Sequence, residues 1–170
     1  RLSGSDGLEE TIDWAVATME ADGLANARRE AVMVNRWERG AESATVVRPR
    51  KKALYMLGLG NSVGTPRRGV KAEVVLVPDV AAIDRLGEAA KGKIVAVTQA
   101  MPAYDYEHDT SHYGEAVQPR IHAASRAAKL GAKAVLIRSV TATNYRLPHT
   151  GTLRYAEDAP KIPAAALSPE

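Results

Sequence analysis

The sequence predicts an α/β fold built around a parallel strand–helix–strand unit. KIVAV (93–97) and AKAVLI (132–137) are short apolar runs rich in β-branched residues and read as strands. Between them, Gly114 to Leu130 carries Val117, Ile121, Ala124 and Ala128 at helical spacing, and Gly131 sits where a C-cap glycine belongs. Strand, helix, strand over this distance implies parallel pairing through a right-handed crossover. The 170 residues suit one domain, or one domain with a short appendage.

The elements follow in order. Ser3-Gly4-Ser5 offers N-cap oxygens, and Asp6, Glu9 and Glu10 place negative charge where a helix N-terminus favours it. Leu8, Ile12, Ala15 and Met19 then recur at helical spacing up to a stop at Gly23, which predicts an amphipathic helix over 8–22. Its apolar face needs a partner. If that partner lies outside this chain, Leu8, Ile12 and Met19 remain underburied. EAVMVNRW (30–37) alternates weakly and reads as a strand, followed by a polar turn over 37–43. ATVVRPR (44–50), KALYMLGLG (52–60) and AEVVLV (72–77) read as three further strands. Val80, Ile83 and Leu86 mark one face of a short helix over 79–90. A loop bearing tyrosines and histidines spans 99–113, and a last short strand lies between the prolines of APKIPAAALSPE.

Composition narrows the function. Apolar residues make up 45% and charged residues 25%, which suits a globular core, although Phe is absent and Ala and Val must fill it. No apolar run is long enough to span a bilayer. The absence of Cys excludes disulfides and thiolate metal sites. The net charge is +3, densest at Arg48-Pro49-Arg50-Lys51-Lys52 and Arg67-Arg68. Neither cluster is interleaved with aromatic platforms, so nucleic-acid binding is not expected. The chain begins at Arg1 without Met and reads as a piece of something longer.

LYMLGLGNSVGTPRRG (54–69) carries two chemical patterns, and both fail. Gly60-Asn61-Ser62-Val63-Gly64 spells the G-x-S-x-G nucleophile elbow, which needs a helix directly behind the serine. Pro66 and Gly69 stand there instead. A dinucleotide fingerprint counted from Gly58 puts Val63 at its third glycine and lacks the helix whose N-terminus would hold a pyrophosphate. The run therefore reads as a flexible turn between strands. An enzyme acting through Ser62 remains a rival to be tested by substitution.

His108 and His112 are four apart, but Asp109-Thr110-Ser111 between them lacks the glutamate of H-E-x-x-H. A third ligand, His122 or His149, is not specified by the spacing. Exposed loop histidines are the plainer reading, and no metal is assigned.

Several segments together resemble a known family. RLSGS, ADGL, RWERG, GLGNSVGTP, GVKAEVVLV, KGKIVAV, AAKLGAKAVLIRSV, PHTG and KIPAAALS occur in the order seen in the carboxypeptidase Q-like (plasma glutamate carboxypeptidase-like) zinc exopeptidases of peptidase family M twenty-eight. The likeness runs along nearly the whole chain. KGKIVAV, AAKLGAKAVLI and KIPAAALS resemble the protease-associated domain, a swivelling β/β/α module inserted into the peptidase. The resemblance implies that residues 1–43 are a helix and strand of the catalytic lobe, and that 44–170 are the protease-associated domain.

It also implies what is missing. The family's di-zinc centre begins with a His-x-Asp motif downstream of the inserted domain, and this chain contains no His-x-Asp. Zinc, as two ions, is therefore expected in the parent enzyme, with no cofactor and no catalytic residue here. The inserted domain covers part of the substrate cleft. Tyr113, Val117, Gln118 and Arg120 match the family's pattern at the start of the long helix. Arg120 would pair with a substrate carboxylate, for which guanidinium is geometrically suited, or would hold a neighbouring loop. Tyr113 and Gln118 would line the same mouth, and His149 and Thr150 of PHTG would form a second lip. The loop MPAYDYEHDTSH is richer in acids and histidines than the family pattern. The expected partner is a peptide substrate met through the parent's catalytic domain, in a secreted or periplasmic location, with homodimerisation left open. The rival from a different class is a free-standing peptide- or protein-binding α/β module with no catalytic neighbour.

Overall fold

A computed structural model of the chain describes residues 2–169. The chain divides into two units, Arg1–Gly40 and Ala41–Glu170. The first unit is built on α1 (Asp6–Ala21). Ser5 holds extended dihedrals and its Oγ accepts from the Leu8 N–H at 3.3 Å, while Asp6 and Glu9 occupy the first turn. The helix ends at Asp22, and Gly23 takes a φ of +80° that the turn out of the helix requires. Among the described residues, α1 buries none: Leu8, Ile12 and Ala15 are half-buried, and Met19 and Trp14 are exposed.

The strand expected over 30–37 is not formed. Val32, Met33 and Val34 belong to no ladder and are exposed, Met33 at 98%. A strand exists only through hydrogen bonds to a neighbour, and none is offered to this segment. It is tethered instead by charge. Arg29, just before it, pairs with Glu9 and Asp13 of α1, and Arg36 lies 3.9 Å from Asp6 at the start of α1.

In the second unit, β1 (Ala44–Val46) and β2 (Lys52–Leu54) form an antiparallel hairpin with Arg48, Arg50 and Lys51 at its exposed tip. The single strand expected over 52–60 is two strands. It breaks at Tyr55, and β3 (Met56–Gly58) passes into a second sheet. That sheet also holds β4 (Val74–Val77), β5 (Ile94–Val97), β6 (Ala134–Arg138) and β7 (Ala164–Leu167), in the order β3-β7-β6-β5-β4. Strands β4 to β7 are mutually parallel, and β3 runs antiparallel along β7. The parallel strand–helix–strand unit read from the sequence is therefore present, within a mixed α/β fold.

The crossovers depart in detail. The helix expected over 79–90 is α2 (Ala81–Asp84), opened by Asp79 Oδ1 accepting from Ala82 N–H at 2.7 Å, followed by a 3-10 turn at Gly87–Ala90. Gly87 at φ +50° breaks it. The long helix is α3 (Tyr113–Ala116) and α4 (Gln118–Lys129), with Pro119 in the first turn of α4, where a missing N–H costs nothing. Gly131 closes α4 at φ +77° as expected.

The core lies between one sheet face and α2 and α4. Leu59, Ile83, Val95, Val97, Val135 and Ile137 are sealed, and Ala123, Ala124 and Ala127 of α4 pack on them. Each buried Val or Ile contributes about 1.5–3 kcal/mol relative to exposure. The alanines let α4 lie close to the sheet, which is how a chain without Phe fills its interior.

Candidate functional site

The parallel strands end at one edge of the sheet, and the segments leaving them carry the residues singled out in the sequence. In open α/β sheets that edge is where ligands are bound. β5 leads into the 98–112 loop, β6 leads into 139–151, and α3 and α4 begin between them.

Arg120, on the second residue past the α4 start, is the centre of this edge. Its Nη2 donates to the Tyr113 hydroxyl at 2.8 Å, and its Nη1 donates to the Thr150 carbonyl at 3.3 Å. The guanidinium carbon also lies 5.6 Å from the centroid of the Tyr113 ring, a cation–π contact. Nε is buried and has no hydrogen-bond partner. Of the five N–H donors of guanidinium, the buried Nε is closed to a ligand, and the second N–H on Nη1 and on Nη2 is left for a planar acceptor such as carboxylate.

The 148–151 segment is fixed from three sides. The His149 N–H donates at 3.0 Å to Ser139 Oγ, which is fully buried and itself donates to the Leu167 carbonyl at 2.6 Å. Arg120 holds Thr150. The Gly60 N–H donates to the Gly151 carbonyl at 2.8 Å, and the Leu153 N–H returns to the Gly60 carbonyl at 3.0 Å. A Cβ on Gly60 would meet Thr152 Cγ2 at 2.9 Å, so close approach demands glycine there.

Of the five expected site residues, the structure brings Tyr113, Arg120 and Thr150 together through these bonds. Gln118 and His149 do not join them through side-chain bonds. Gln118 Nε2 turns back to the Gly114 carbonyl at 2.8 Å, and His149 is anchored by its backbone N–H. Sequence reasoning missed Ser139, Gly60 and Gly151. Gly151 stood in the PHTG segment, but nothing in the spacing showed that a side chain from α4 lies against it.

The glycine run has a structural task. Ser62 Oγ accepts from the Ala164 N–H at 2.8 Å and lies 2.9 Å from the Val63 carbonyl, to which it donates. The hydroxyl thus ties the loop to the start of β7. Tyr155 repeats this tie nearby. Its hydroxyl accepts from Val63 N–H at 3.1 Å and donates to the Ile162 carbonyl at 2.6 Å.

The loop from Tyr104 to Thr110 closes on itself. Asp105 and Thr110 exchange backbone hydrogen bonds of 2.8 and 3.0 Å. The Asp105 carboxylate accepts from the Glu107 and His108 N–H groups at 3.0 and 3.1 Å and pairs with His108 Nδ1 at 2.8 Å. The His108 side-chain bond, then its backbone N–H, holds the Asp105 carboxyl below its ordinary range. The Tyr104 hydroxyl bonds Asp109, which raises the phenol's pKa. His108 is thus engaged with Asp105. Among the described residues, no three His, Asp or Glu side chains are grouped to hold a metal ion. The donor set present does not fit a di-zinc centre.

No protein-family model matches the chain. Over all 170 residues it is 44% identical to carboxypeptidase Q of Xenopus laevis and 41% identical to that of Homo sapiens. It covers 34% of each, so the chain spans about a third of the length of the curated relatives it matches. Among solved structures, a peptidase M28 precursor from Shewanella amazonensis superposes with a TM-score of 0.91 at 31% identity, over 99% of this chain and 38% of that one. BSAP, a zinc aminopeptidase from Bacillus subtilis, shares the fold at a TM-score of 0.57 and 18% identity, over 97% of this chain and 34% of its own. The similarity to carboxypeptidase Q-like peptidases read from the ordered motifs is borne out along the whole chain.

Proposed function

From this full-length similarity to about a third of carboxypeptidase Q, we propose that the chain is the noncatalytic part of a secreted or periplasmic zinc metallo-exopeptidase. In this reading residues 1–43 contribute the first helix of the catalytic lobe and a segment that gains strand pairing only with the rest of that lobe. Residues 44–170 form a protease-associated domain that covers part of the substrate cleft. In this reading peptide hydrolysis and its two zinc ions belong to the remainder of the parent; among the described residues no side chains are grouped as a fitting donor set. Among the described residues, no helix is long and apolar enough to cross a membrane.

Arg120 is the residue assigned to substrate selection. Its guanidinium is oriented by Tyr113 and Thr150, and Nη1 and Nη2 each keep a second N–H for a carboxylate. The similarity to peptidases carries the reading. The self-contained core of the second unit favours a rival, a free-standing peptide-binding module.

The test compares the isolated 170-residue chain with the full-length protein on a dipeptide panel, with zinc and with chelator. The isolated chain is expected to be inactive throughout, and the full-length protein active and chelator-sensitive. In the full-length protein Arg120→Gln should raise KM about ten-fold, the loss of one charge-assisted bond, with kcat little changed. Turnover by the isolated chain, or an unchanged KM, overturns the reading. Peptide binding with no hydrolysis by the full-length protein selects the rival.

A further inference from the structure

The opposite edge of the sheet is built differently. Because β4 to β7 are parallel, their starts share one end, and a lysine precedes each: Lys71, Lys93, Lys133 and Lys161. Neighbouring strands lie about 4.8 Å apart, so the lysines form a row across the sheet. Lys93 is neutralised by Glu73. The other three line a groove of about 760 Å³. Val63, Pro66, Val70, Ile162 and Pro163 bring apolar side chains to its lining, and no carboxylate lines it.

The wall of this groove adds charge. The Gly69 N–H closes a turn onto the Pro66 carbonyl at 2.7 Å, and Arg67 and Arg68 are exposed at its tip. Lys91 and Lys129, outside the groove, have the carboxylates of Glu88 and Asp158. Arg67, Arg68, Lys71, Lys133 and Lys161 have no ion pair among the described residues. Like charges gathered at one edge raise the local potential and attract a polyanion.

We propose that this groove binds a sulfated polysaccharide. A linear row of cations matches a linear polymer with regularly spaced anions, and apolar side chains between them match the C–H faces of sugar rings. Single-stranded nucleic acid fits less well because its bases need rings on which to stack. The aromatic beside the groove is Tyr155, whose ring lies under Lys161 Nζ at 5.8 Å and whose hydroxyl is bonded to Ile162 and Val63. The proposal is independent of the peptidase reading, since it uses the other end of the strands.

The experiment measures heparin binding to the full-length protein by calorimetry and by salt elution from a heparin column. Lys71→Gln/Lys133→Gln/Lys161→Gln is compared with Arg50→Gln/Lys51→Gln/Lys52→Gln, which removes equal charge from the β1–β2 hairpin. All six side chains are exposed, and unchanged melting is required of both variants. The groove variant should bind about ten-fold more weakly and with a shallower salt dependence, because fewer counterions are released. The hairpin variant should stay within two-fold of wild type. If the groove variant fails to fold, Arg67→Gln/Arg68→Gln on the exposed turn provides the same readout. The proposal is overturned if wild type ignores heparin at physiological salt or if both triple variants lose binding equally. It is also overturned if single-stranded DNA or polyglutamate of matched charge competes as well as heparin.

Discussion

The α-carbon of Gly151 lies against the guanidinium of Arg120, so closely that a Cβ there would sit 2.5 Å from Nη1 and 2.6 Å from Cζ. A glycine on the loop after β6 thus admits a side chain from α4, and the two elements meet without intervening atoms. The group in conflict is the end of a flexible side chain. A larger residue would therefore evict the guanidinium rather than unfold the sheet.

Gly151→Ala should keep the fold while breaking the bonds from Arg120 to Thr150 and Tyr113. A stability loss of about 1 kcal/mol is expected. In the full-length protein it should raise KM as Arg120→Gln does. In an Arg120→Ala background, where nothing remains to evict, Gly151→Ala should be nearly neutral. A double-mutant cycle by urea denaturation checks this, and additive losses would sever the proposed link.

Ser139 supports the same loop from beneath. Its hydroxyl is fully buried and satisfies both the Leu167 carbonyl and the His149 N–H. Ser139→Ala leaves both without that partner and should cost about 1–3 kcal/mol. Hydrogen exchange at His149 should accelerate beyond the global change. Uniform acceleration across the sheet would mean that Ser139 is only a core residue.

In the core, Ile137→Ala should cost about 2–5 kcal/mol, because Ile137 is sealed, paired between Val97 and Ala166 of the neighbouring strands, and its loss leaves a cavity. Leu76→Ser, on edge strand β4 and 67% exposed, should stay within about 0.5 kcal/mol. Both are read from thermal or urea melts. A large effect at Leu76 would show that this edge is covered in the folded protein.

These contrasts mark what the sequence could disclose. β5, α4, Gly131 and β6 were legible because local pattern and tertiary environment agree: β-branched runs are buried strands, and an alanine stripe is a helix face on them. The strand over 30–37 failed because pairing is a property of two segments, and alternation in one says nothing about the other. Tyr55, where one expected strand divides between two sheets, has no local signal, since the Tyr55 carbonyl is claimed by the distant Ser168 N–H. At the site, Arg120 and Tyr113 were visible as residue types, whereas Thr150 acts through its carbonyl, Ser139 through bonds to His149 and Leu167, and Gly60 and Gly151 through close contacts with distant segments. No periodicity encodes those.

Ser62 tests whether the G-x-S-x-G spelling carries any chemistry. Its hydroxyl is engaged with Ala164 N–H and the Val63 carbonyl. Ser62→Ala should cost about 1–2 kcal/mol in stability and leave any esterase activity of a purified sample unchanged. Activity that vanishes with the fold intact would restore the nucleophile reading.

The loop from Tyr104 to Thr110 should loosen in acid. Asp105 accepts from the His108 side chain and backbone and from Glu107, and these bonds hold its carboxyl below the ordinary value of 3.8. A carboxyl whose folded pKa is depressed contributes stability that is present above its unfolded pKa and lost as pH falls through the folded pKa. The loop should therefore be fastened at neutral pH and come free only below about pH 4. Amide shifts of Glu107 and His108 should titrate together in that range, while those of β5 and β6 stay fixed. Asp105→Asn keeps an acceptor but removes the titrating proton, so both shifts should become flat with pH. If they instead stay flat through that range in the wild type, Asp105 does not fasten the loop.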